Sequence, residues 1–258
     1  LTDHAINVCE TRGDALAIVD LKGDYTADTE GTTSEENRIG NVDTTVSNLL
    51  TRDVDSSYGC AYYPWVQVQD PLTRLGVYVP PSVIALGVMA SSEKKSELWF
   101  APAGFNRGGL TRGAAGLQVI NTTARLTSKE RDKLYDANIN PIATFPAEGH
   151  VIFGQKTLQV TPSALDRINV RRLMIFIKKR ISRMASGILF DQNTKAVWNR
   201  FLGQANPFLA SIKTKFGLTD YKVVLDETTT TADLIDRNIL YAQIFLKPAR
   251  AIEYIAID

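Results

Sequence analysis

Four side chains in this sequence could ligate a soft or borderline metal ion: His4, Cys9, Cys60 and His150. A structural zinc site takes four cysteine or histidine ligands, usually grouped in closely spaced pairs. No such pairing occurs here, and two cysteines are too few for a disulfide framework. Buried cysteines and incidental histidines are the ordinary reading of this pattern. We therefore expect no metal site and no cofactor.

Phosphate-binding and nucleophilic motifs are equally weak. The glycine-rich stretch 104–109 (GFNRGG) lacks the Gly-Lys-Ser/Thr ending of a P-loop and the spacing of a dinucleotide fingerprint. There is no Gly-x-Ser-x-Gly elbow, and His4 and Cys9 share one predicted helix without a third, orienting group. Carboxylates are spread through polar segments and form no recognisable acid–base pair. We expect no catalytic residue and no enzymatic activity.

Charge is concentrated on one predicted helix, although the chain as a whole is nearly neutral, with 29 basic and 28 acidic residues. Three interpretations of this helix stay open: a solvated face, a nucleic-acid-binding stripe over 167–183, or a contact with an acidic protein. The protein contact is favoured over nucleic acid, because only Phe176 could stack on a base. The basic residues, opposed by Asp166 alone, are Arg167, Arg171, Arg172, Lys178, Lys179, Arg180 and Arg183.

The elements that would position these side chains alternate along the chain. Apolar residues three or four positions apart predict helices, and short or alternating apolar runs predict strands. A polar excursion at 22–57 interrupts this pattern but keeps one amphipathic helix, built on Val42, Val46, Leu49 and Leu50. In the first half we predict helices at 4–10, 82–92 and 126–136, and strands at 15–21, 58–69 and 116–120.

The second half continues the alternation. We predict a strand–turn–strand over 141–154, the longest helix over 163–187, two shorter helices within 195–215 separated near 203–207, and strands at 221–226, 239–247 and 251–258. This order indicates an α+β fold, a mixed β-sheet flanked by helices with an N-terminal polar excursion, as one core domain over 1–258. No run of about eighteen apolar residues predicts a membrane span. The chain lacks an initiator Met and opens inside a helix-like segment, so we expect part of a longer protein.

The C-terminal segment 248–258 is unusual for a sheet edge. Only Glu253 interrupts the apolar run from Ala251 to Ile257, so a strand here would be apolar on both faces. Such a strand is an aggregation hazard unless it is paired. Pro248 would interrupt the hydrogen-bond ladder before it. The residues alone leave two possibilities equally open, a strand of the chain's own sheet or a strand given to a neighbouring molecule.

Aromatic and proline blocks give the sequence its most specific character. SYGCAYYPW at 57–65, YVPPSV at 78–83 and LWFAPAG at 98–104 follow one another within a short stretch. Later blocks are INPI at 139–142 with GQKTL at 154–158, RINVRR at 167–172, and YKVVLD at 221–226 with PARAIEYI at 248–255. Their order resembles the tail sheath proteins of contractile bacteriophage tails over nearly the whole chain. Gly104 departs from that family, in which many members have Asn at this position.

The resemblance implies a structural role rather than catalysis. It implies the C-terminal conserved part of a sheath subunit, with outer domains upstream. Such subunits stack as hexameric rings around a tail tube and contract to drive the tube through the host envelope. Terminal arms exchange strands between neighbours, which favours the second possibility for 248–258. The implied partners are the protein itself, the tube protein, the baseplate and the tail terminator, in a virion tail assembled in the host cytoplasm, without membrane or direct nucleic-acid binding.

The resemblance also leads us to nominate two kinds of contact residue. Tube contacts are expected on a helix with localised charge, and the first choice is the helix at 126–136, where Thr127 and Glu130 form a capping-box pattern. Its candidates are Ser128, Lys129, Arg131 and Lys133, with Arg171, Arg172 and Lys179 of the basic helix as the second choice. The candidates for an exchanged strand are Ala251, Ile252, Glu253, Tyr254, Ile255, Ala256 and Ile257.

Overall fold

The computed structural model describes residues 1–27, 38–111 and 116–253. The chain divides into two compact units, Leu1–Arg172 and Leu173–Asp258, and the boundary falls inside one helix, α6 (Ile168–Ser186). That helix explains why the sequence contains no linker at the boundary. The division into two units does not test whether residues 1–258 act as one core domain, so that assignment stays a prediction.

The first unit is built around a mixed four-stranded sheet in the order β1-β2-β6-β7. The first three strands run parallel, with Ile18 opposite Cys60 and Ala61 opposite Ile139, and β7 is antiparallel to β6. The strands are β1 (Ala17–Val19), β2 (Gly59–Tyr63), β6 (Ile139–Phe145) and β7 (Gly149–Ile152). All five residues of β2 are buried, as expected for a central strand covered on both faces.

Alternation along β2 explains how the sheet is covered. Cys60 and Tyr62 belong to one apolar core, while Ala61 and Tyr63 belong to another. The first core includes residues of α3 (Pro81–Lys95), and the second includes residues of α1 (Thr2–Arg12), α2 (Val42–Leu50) and α5 (Ser128–Asp136). Successive side chains of a strand point to opposite faces, so helices lie on both sides. The predicted α+β class is confirmed.

A second sheet replaces part of the strand predicted at 58–69. Pro64 cannot donate a hydrogen bond to a ladder, and β2 ends before it. The chain resumes as the central strand of an antiparallel sheet in the order β4-β3-β5. These strands are β3 (Val66–Gln69), β4 (Gly76–Val79) and β5 (Val119–Thr122), and a short helix, α4 (Gly104–Arg107), precedes β5. The sequence patterns predict neither β4 nor α4.

The second unit contains one long helix, α7 (Lys195–Thr214), where the sequence predicts two helices separated near 203–207. That prediction is wrong. Pro207 lies within the helix, and both Pro207 and Gly203 are on its exposed side, so water can reach the carbonyl of Gly203 that Pro207 leaves unbonded. An interior proline costs about 3 kcal/mol. The continuous buried stripe Trp198, Phe201, Ala205, Leu209 and Ile212 offsets that cost.

The remaining elements of the second unit form a two-stranded antiparallel ribbon. It comprises β8 (Leu218–Val224) and β9 (Gln243–Pro248), joined through a short helix, α8 (Ala232–Asp236). Pro248 is the last residue of β9, opposite Leu218, and Ala249 donates its N–H to the carbonyl of Gly217 at 3.1 Å.

The predicted strand at 251–258 falls only partly within the described chain. Residues 251–253 have no regular secondary structure, and Ile252 is 83% exposed. Residues 254–258 lie outside the described residues.

Candidate functional site

Helix α5 is fixed by the capping box that the sequence predicts. The hydroxyl of Thr127 accepts the N–H of Glu130 at 3.3 Å, and the Glu130 carboxylate accepts the N–H of Thr127 at 2.8 Å. These hydrogen bonds favour the ionised carboxylate and hold the pKa of Glu130 below its ordinary value. Leu134 is the one fully buried residue of the helix and anchors it to the second core. The exposed residues of α5 are Ser128, Lys129, Asp132, Lys133 and Asp136.

The four candidate residues on α5 have different surroundings. Ser128, Lys129 and Lys133 are exposed and Arg131 is half-buried. Lys133 pairs with Asp43 of α2 at 2.5 Å. Arg131 donates to the hydroxyl of Ser128 at 2.9 Å and lies over the rings of Phe145 and Phe153. Within the described ranges, neither Lys129 nor Arg131 has a carboxylate at ion-pair distance, so both charges remain open to a partner.

Two of the three second-choice residues are inside the first unit. Arg171 is 7% exposed, donates to the hydroxyl of Ser57, and lies 4.0 Å from the centre of the Tyr58 ring. Burial lowers the pKa of Arg171. These contacts hold α6 against the start of β2. Arg171 therefore packs inside the first unit and is not exposed at its surface.

The other two second-choice residues, Arg172 and Lys179, differ in their exposure to solvent. The Arg172 side chain is 11% exposed and donates to Glu93 of α3 at 3.4 Å, and burial lowers its pKa. Lys179, in the second unit, is exposed. The sequence shows only that Arg171 and Arg172 follow the apolar Ile168 by three and four residues, which places them on the same helix face, and the structure shows that Ile168 is buried.

The residues considered for metal binding and catalysis do not converge. Cys60 is fully buried, and burial raises the pKa of its thiol to about 12. His150 has its Nδ1 3.0 Å from the hydroxyl of Thr144, and burial lowers the His150 pKa. Cys9 and His4 lie on α1, away from both in the sequence. In the part of the chain that the structure describes, no three His, Cys, Asp or Glu side chains group closely enough to hold a metal ion.

The glycine-rich stretch 104–109 serves packing. A side chain at Gly108 would approach the carbonyl of Ile152 to 2.6 Å, so the backbone there lies directly against β7. Ile152 donates its N–H to the Gly108 carbonyl at 2.9 Å, and Leu110 donates to the carbonyl of His150 at 2.8 Å. This segment thus extends the sheet edge instead of arranging N–H groups around a phosphate.

The second unit presents an open ribbon and exposed aromatic residues. Between residues 173 and 253, β8 and β9 pair only with each other, which leaves the outer edge of each strand without a strand partner. No residue of β9 is buried, and Phe245 is 56% exposed. Of the candidates for an exchanged strand, Ala251 and Ile252 are exposed and Glu253 is half-buried. Tyr254, Ile255, Ala256 and Ile257 lie outside the described residues.

Similarity to known proteins decides the family. Residues 160–258 match the phage tail sheath C-terminal domain. The tail sheath protein of Vibrio phage KVP40 is 38% identical over 181 residues, and that of Enterobacteria phage T4 is 34% identical over 189 residues. The chain belongs to the contractile phage tail sheath family. These alignments cover 70% and 73% of this chain but only 26% and 28% of the relatives, so the chain spans little more than a quarter of their length.

Solved structures support the same fold. The contracted helical sheath of the anti-feeding prophage has a TM-score of 0.74 to this chain at 21% identity, and the match covers 98% of this chain and 64% of that one. At this identity the likeness establishes the fold alone. Among the described residues, no helix combines the length and apolar character needed to cross a bilayer.

Proposed function

We propose that this chain is the C-terminal part of a structural subunit of a contractile phage tail sheath. The subunit polymerises with itself as stacked hexameric rings around a tail tube, and contraction of the stack drives the tube through the host envelope. The observation that carries the proposal is the family match over residues 160–258. The matched region contains the open ribbon β8–β9. The relatives that match at 38% and 34% identity are tail sheath proteins.

The open ribbon supports strand exchange between subunits. The ribbon packs against α7, where Tyr221 donates its hydroxyl to the carbonyl of Asn206, but the outer edges of β8 and β9 are unpaired among the described residues, and such edges are templates for another strand. Residues 251–257 supply an apolar strand of suitable length in a neighbouring copy. Each added backbone hydrogen bond contributes about 0.5–1.5 kcal/mol net, and each fully buried isoleucine about 1.5–3 kcal/mol. Such a link would keep subunits tethered while the lattice rearranges.

Helix α5 supports a contact with the tube. Lys129 and Arg131 have no carboxylate partner in the described ranges, and the helix that carries them is fixed by its capping box and by Leu134. A rigid element with uncompensated charge suits a docking surface, because complementary charge fixes register and orientation. We assign Ser128, Lys129, Arg131 and Lys133 to the tube-facing surface.

Other properties of the protein follow from the sheath assignment. The protein has no enzymatic activity and needs no cofactor, because its work is assembly and rearrangement. Its further partners are the baseplate and the tail terminator, and it resides in the virion tail after assembly in the host cytoplasm. A baseplate of the anti-feeding prophage contains a chain of similar fold, with TM-score 0.71.

The nucleic-acid alternative loses its main support. The basic stripe over 167–183 is not continuous at the surface: Arg171 is 7% exposed and the Arg172 side chain 11%, and only its later cations, Lys178, Lys179, Arg180 and Arg183, are exposed. Arg167 pairs with Asp166 at 3.2 Å. Neutralised or buried cations cannot release counterions from a phosphate backbone.

A truncation of the full-length protein tests the proposal. Stopping the chain after Arg250 retains Pro248 and Ala249, which the ribbon uses, and removes only the strand to be exchanged. We expect a folded, soluble protein that forms no sheath in electron micrographs. A matched control replaces 251–258 with a Gly/Ser segment of equal length, which keeps the chain length but not the apolar side chains. Intact contractile tubes from both variants would refute strand exchange at this end.

A further inference from the structure

Three phenylalanine rings from three separate elements meet at the surface of the first unit. Phe105 belongs to α4, Phe145 ends β6, and Phe153 follows β7. Ring centroids are 5.0 Å apart for Phe105–Phe145 and for Phe145–Phe153, and 5.7 Å apart for Phe105–Phe153. Phe105 is 51% exposed and Phe153 is 43% exposed. We call these three residues the phenylalanine cluster.

The backbone places these rings together for definite reasons. In the β6–β7 hairpin, Phe145 lies opposite Gly149, and Phe153 donates its N–H to the carbonyl of Pro141 at 2.8 Å. Opposed residues of an antiparallel pair share a face, so both rings lie on one face of the hairpin. Gly108 brings the backbone after α4 directly against β7, which positions Phe105 beside them. The cluster is consequently built on fixed elements.

Arg131 gives the phenylalanine cluster a charge. Its guanidinium carbon lies 5.1 Å from the centre of the Phe145 ring and 5.9 Å from that of Phe153, and Ser128 accepts a hydrogen bond from it. Within the described ranges, no carboxylate neutralises Arg131. A stacked guanidinium beside exposed aromatic rings is the composition typical of binding hot spots, where aromatic and arginine side chains carry most of the energy.

We propose that the phenylalanine cluster with Arg131 is the apolar part of the contact between this chain and the tube, which rests on the tube-facing role proposed for α5. The partner surface presents an apolar side chain that covers the rings and a carboxylate that pairs with Arg131. A two-fold symmetric contact between this surface and the same surface of a second copy is disfavoured. In such a contact each residue faces its equivalents in the other copy, so the positive charges of Arg131 and Lys129 would be brought together.

The test uses the full-length protein and purified tail tubes. Phe105→Ser removes the most exposed ring, and Arg131→Lys retains the charge while removing the planar group that stacks. We expect each variant to lower tube-templated assembly about tenfold, as hot-spot truncation does, while tube-free assembly stays at the wild-type level. Leu72→Ser, at a position that is 91% exposed in the β3–β4 turn, is the matched control for loss of surface apolar area. Phe105→Leu replaces Phe105→Ser if the latter does not fold.

Lys129→Glu separates this inference from the proposal on which it rests. If Lys129→Glu weakens templated assembly but both cluster variants behave like wild type, the cluster is not part of the contact and the α5 assignment stands. If the cluster variants also lose tube-free assembly, the cluster binds a second copy of this chain and the inference is wrong. If Lys129→Glu and both cluster variants all assemble normally on tubes, the tube-facing assignment fails together with the inference.

Discussion

Two basic segments of the first unit, α5 and the opening of α6, contain similar residues and use them in opposite ways. On α5, Lys129 is exposed, and Arg131 is half-buried over the rings of Phe145 and Phe153. At the start of α6, Arg171 is buried against Ser57 and Tyr58, and the Arg172 side chain is 11% exposed and donates to Glu93.

The difference lies in the neighbouring apolar residues rather than in the charges. In α5, Leu134 is the only buried residue, so most of the helix circumference faces water. In the part of α6 that belongs to the first unit, Ile168 and Val170 are buried, as is Arg171. A guanidinium on an apolar face is retained when rings and hydrogen-bond acceptors replace water around it. A charged residue is therefore a contact candidate only when the helix face that carries it is free.

Replacing Arg171 should give the largest effect. Arg171→Ala removes the stacking on Tyr58 and the hydrogen bond to Ser57, and leaves a cavity against β2. We expect the free energy of unfolding to fall by about 2–5 kcal/mol, the range for truncating large buried side chains. Chemical denaturation measures this loss. Lys179→Ala, at an exposed position of the same helix, should change stability by less than about 0.5 kcal/mol. Equal losses for both variants would mean that Arg171 is not buried.

The buried carboxyl group of Asp24 provides a second comparison with the buried guanidinium of Arg171. Asp24 is 1% exposed, and its Oδ1 accepts the N–H of Trp65 at 3.3 Å, while its Oδ2 has no hydrogen-bond partner among the described residues. Burial, with a smaller contribution from the charge of Asp20, raises the pKa of Asp24 from 3.8 to about 8. Arg171 retains its charge through its contacts, whereas the Asp24 carboxyl is held in its neutral form.

The sign of the resulting pH dependence follows from proton binding. Between pH 3.8 and about 8 the folded chain holds a proton on Asp24 that the unfolded chain has released. The contribution of Asp24 to the free energy of unfolding is therefore greatest below this window and falls as pH rises through it, by at most about 1.4 kcal/mol per pH unit. Asp24→Asn stays neutral and should lose this dependence. Thermal midpoints of both proteins at about pH 5 and about pH 8 measure it. Parallel decreases would contradict the assignment.

Local patterns predicted most elements of the fold. The capping box at Thr127 and Glu130, the spacing of Val42, Val46 and Leu49, and the α+β class all follow from short-range rules. Long-range packing decided the rest. The continuity of α7 through Pro207 depends on a buried stripe on the opposite side of the helix, which a proline-based rule ignores. The separation of β2 from β3 depends on which sheet accepts each strand.

The candidate site was less predictable than the fold. The sequence identifies α5 as a charged, capped helix, but the burial of Arg171 and Arg172 becomes clear only when α6 is packed against β2 and α3. The phenylalanine cluster was missed entirely, because Phe105, Phe145 and Phe153 lie far apart in the sequence. Their proximity results from the register of the β6–β7 hairpin and from the close approach at Gly108.

Loss of the capping box of α5 should give a smaller effect than replacement of Arg171 or of Asp24. Thr127→Ala removes the acceptor for the N–H of Glu130 and the hydroxyl that donates to the Glu130 carboxylate at 2.8 Å. We expect a loss of about 1 kcal/mol in the free energy of unfolding, typical of a lost N-cap. Thr127→Ser retains the hydroxyl and should restore most of it. Urea denaturation of the three proteins distinguishes them, and an alanine variant as stable as the serine variant would contradict a stabilising cap.

The ion pair between Lys133 and Asp43 should give the smallest effect. Its atoms are 2.5 Å apart, but the two side chains are 50% and 78% exposed. Water and salt screen such a pair, so a double-mutant cycle with Lys133→Ala and Asp43→Ala should give a coupling of about 0.2–1 kcal/mol that shrinks with added salt. A larger coupling that persists in high salt would place the pair in a less hydrated environment than its exposure indicates. If the coupling is small, folding hardly depends on Lys133. A loss of tube-templated assembly in Lys133→Glu would then reflect a change in the contact surface of α5 and not a loss of stability. Arg171→Ala differs, because its main effect is expected on the free energy of unfolding.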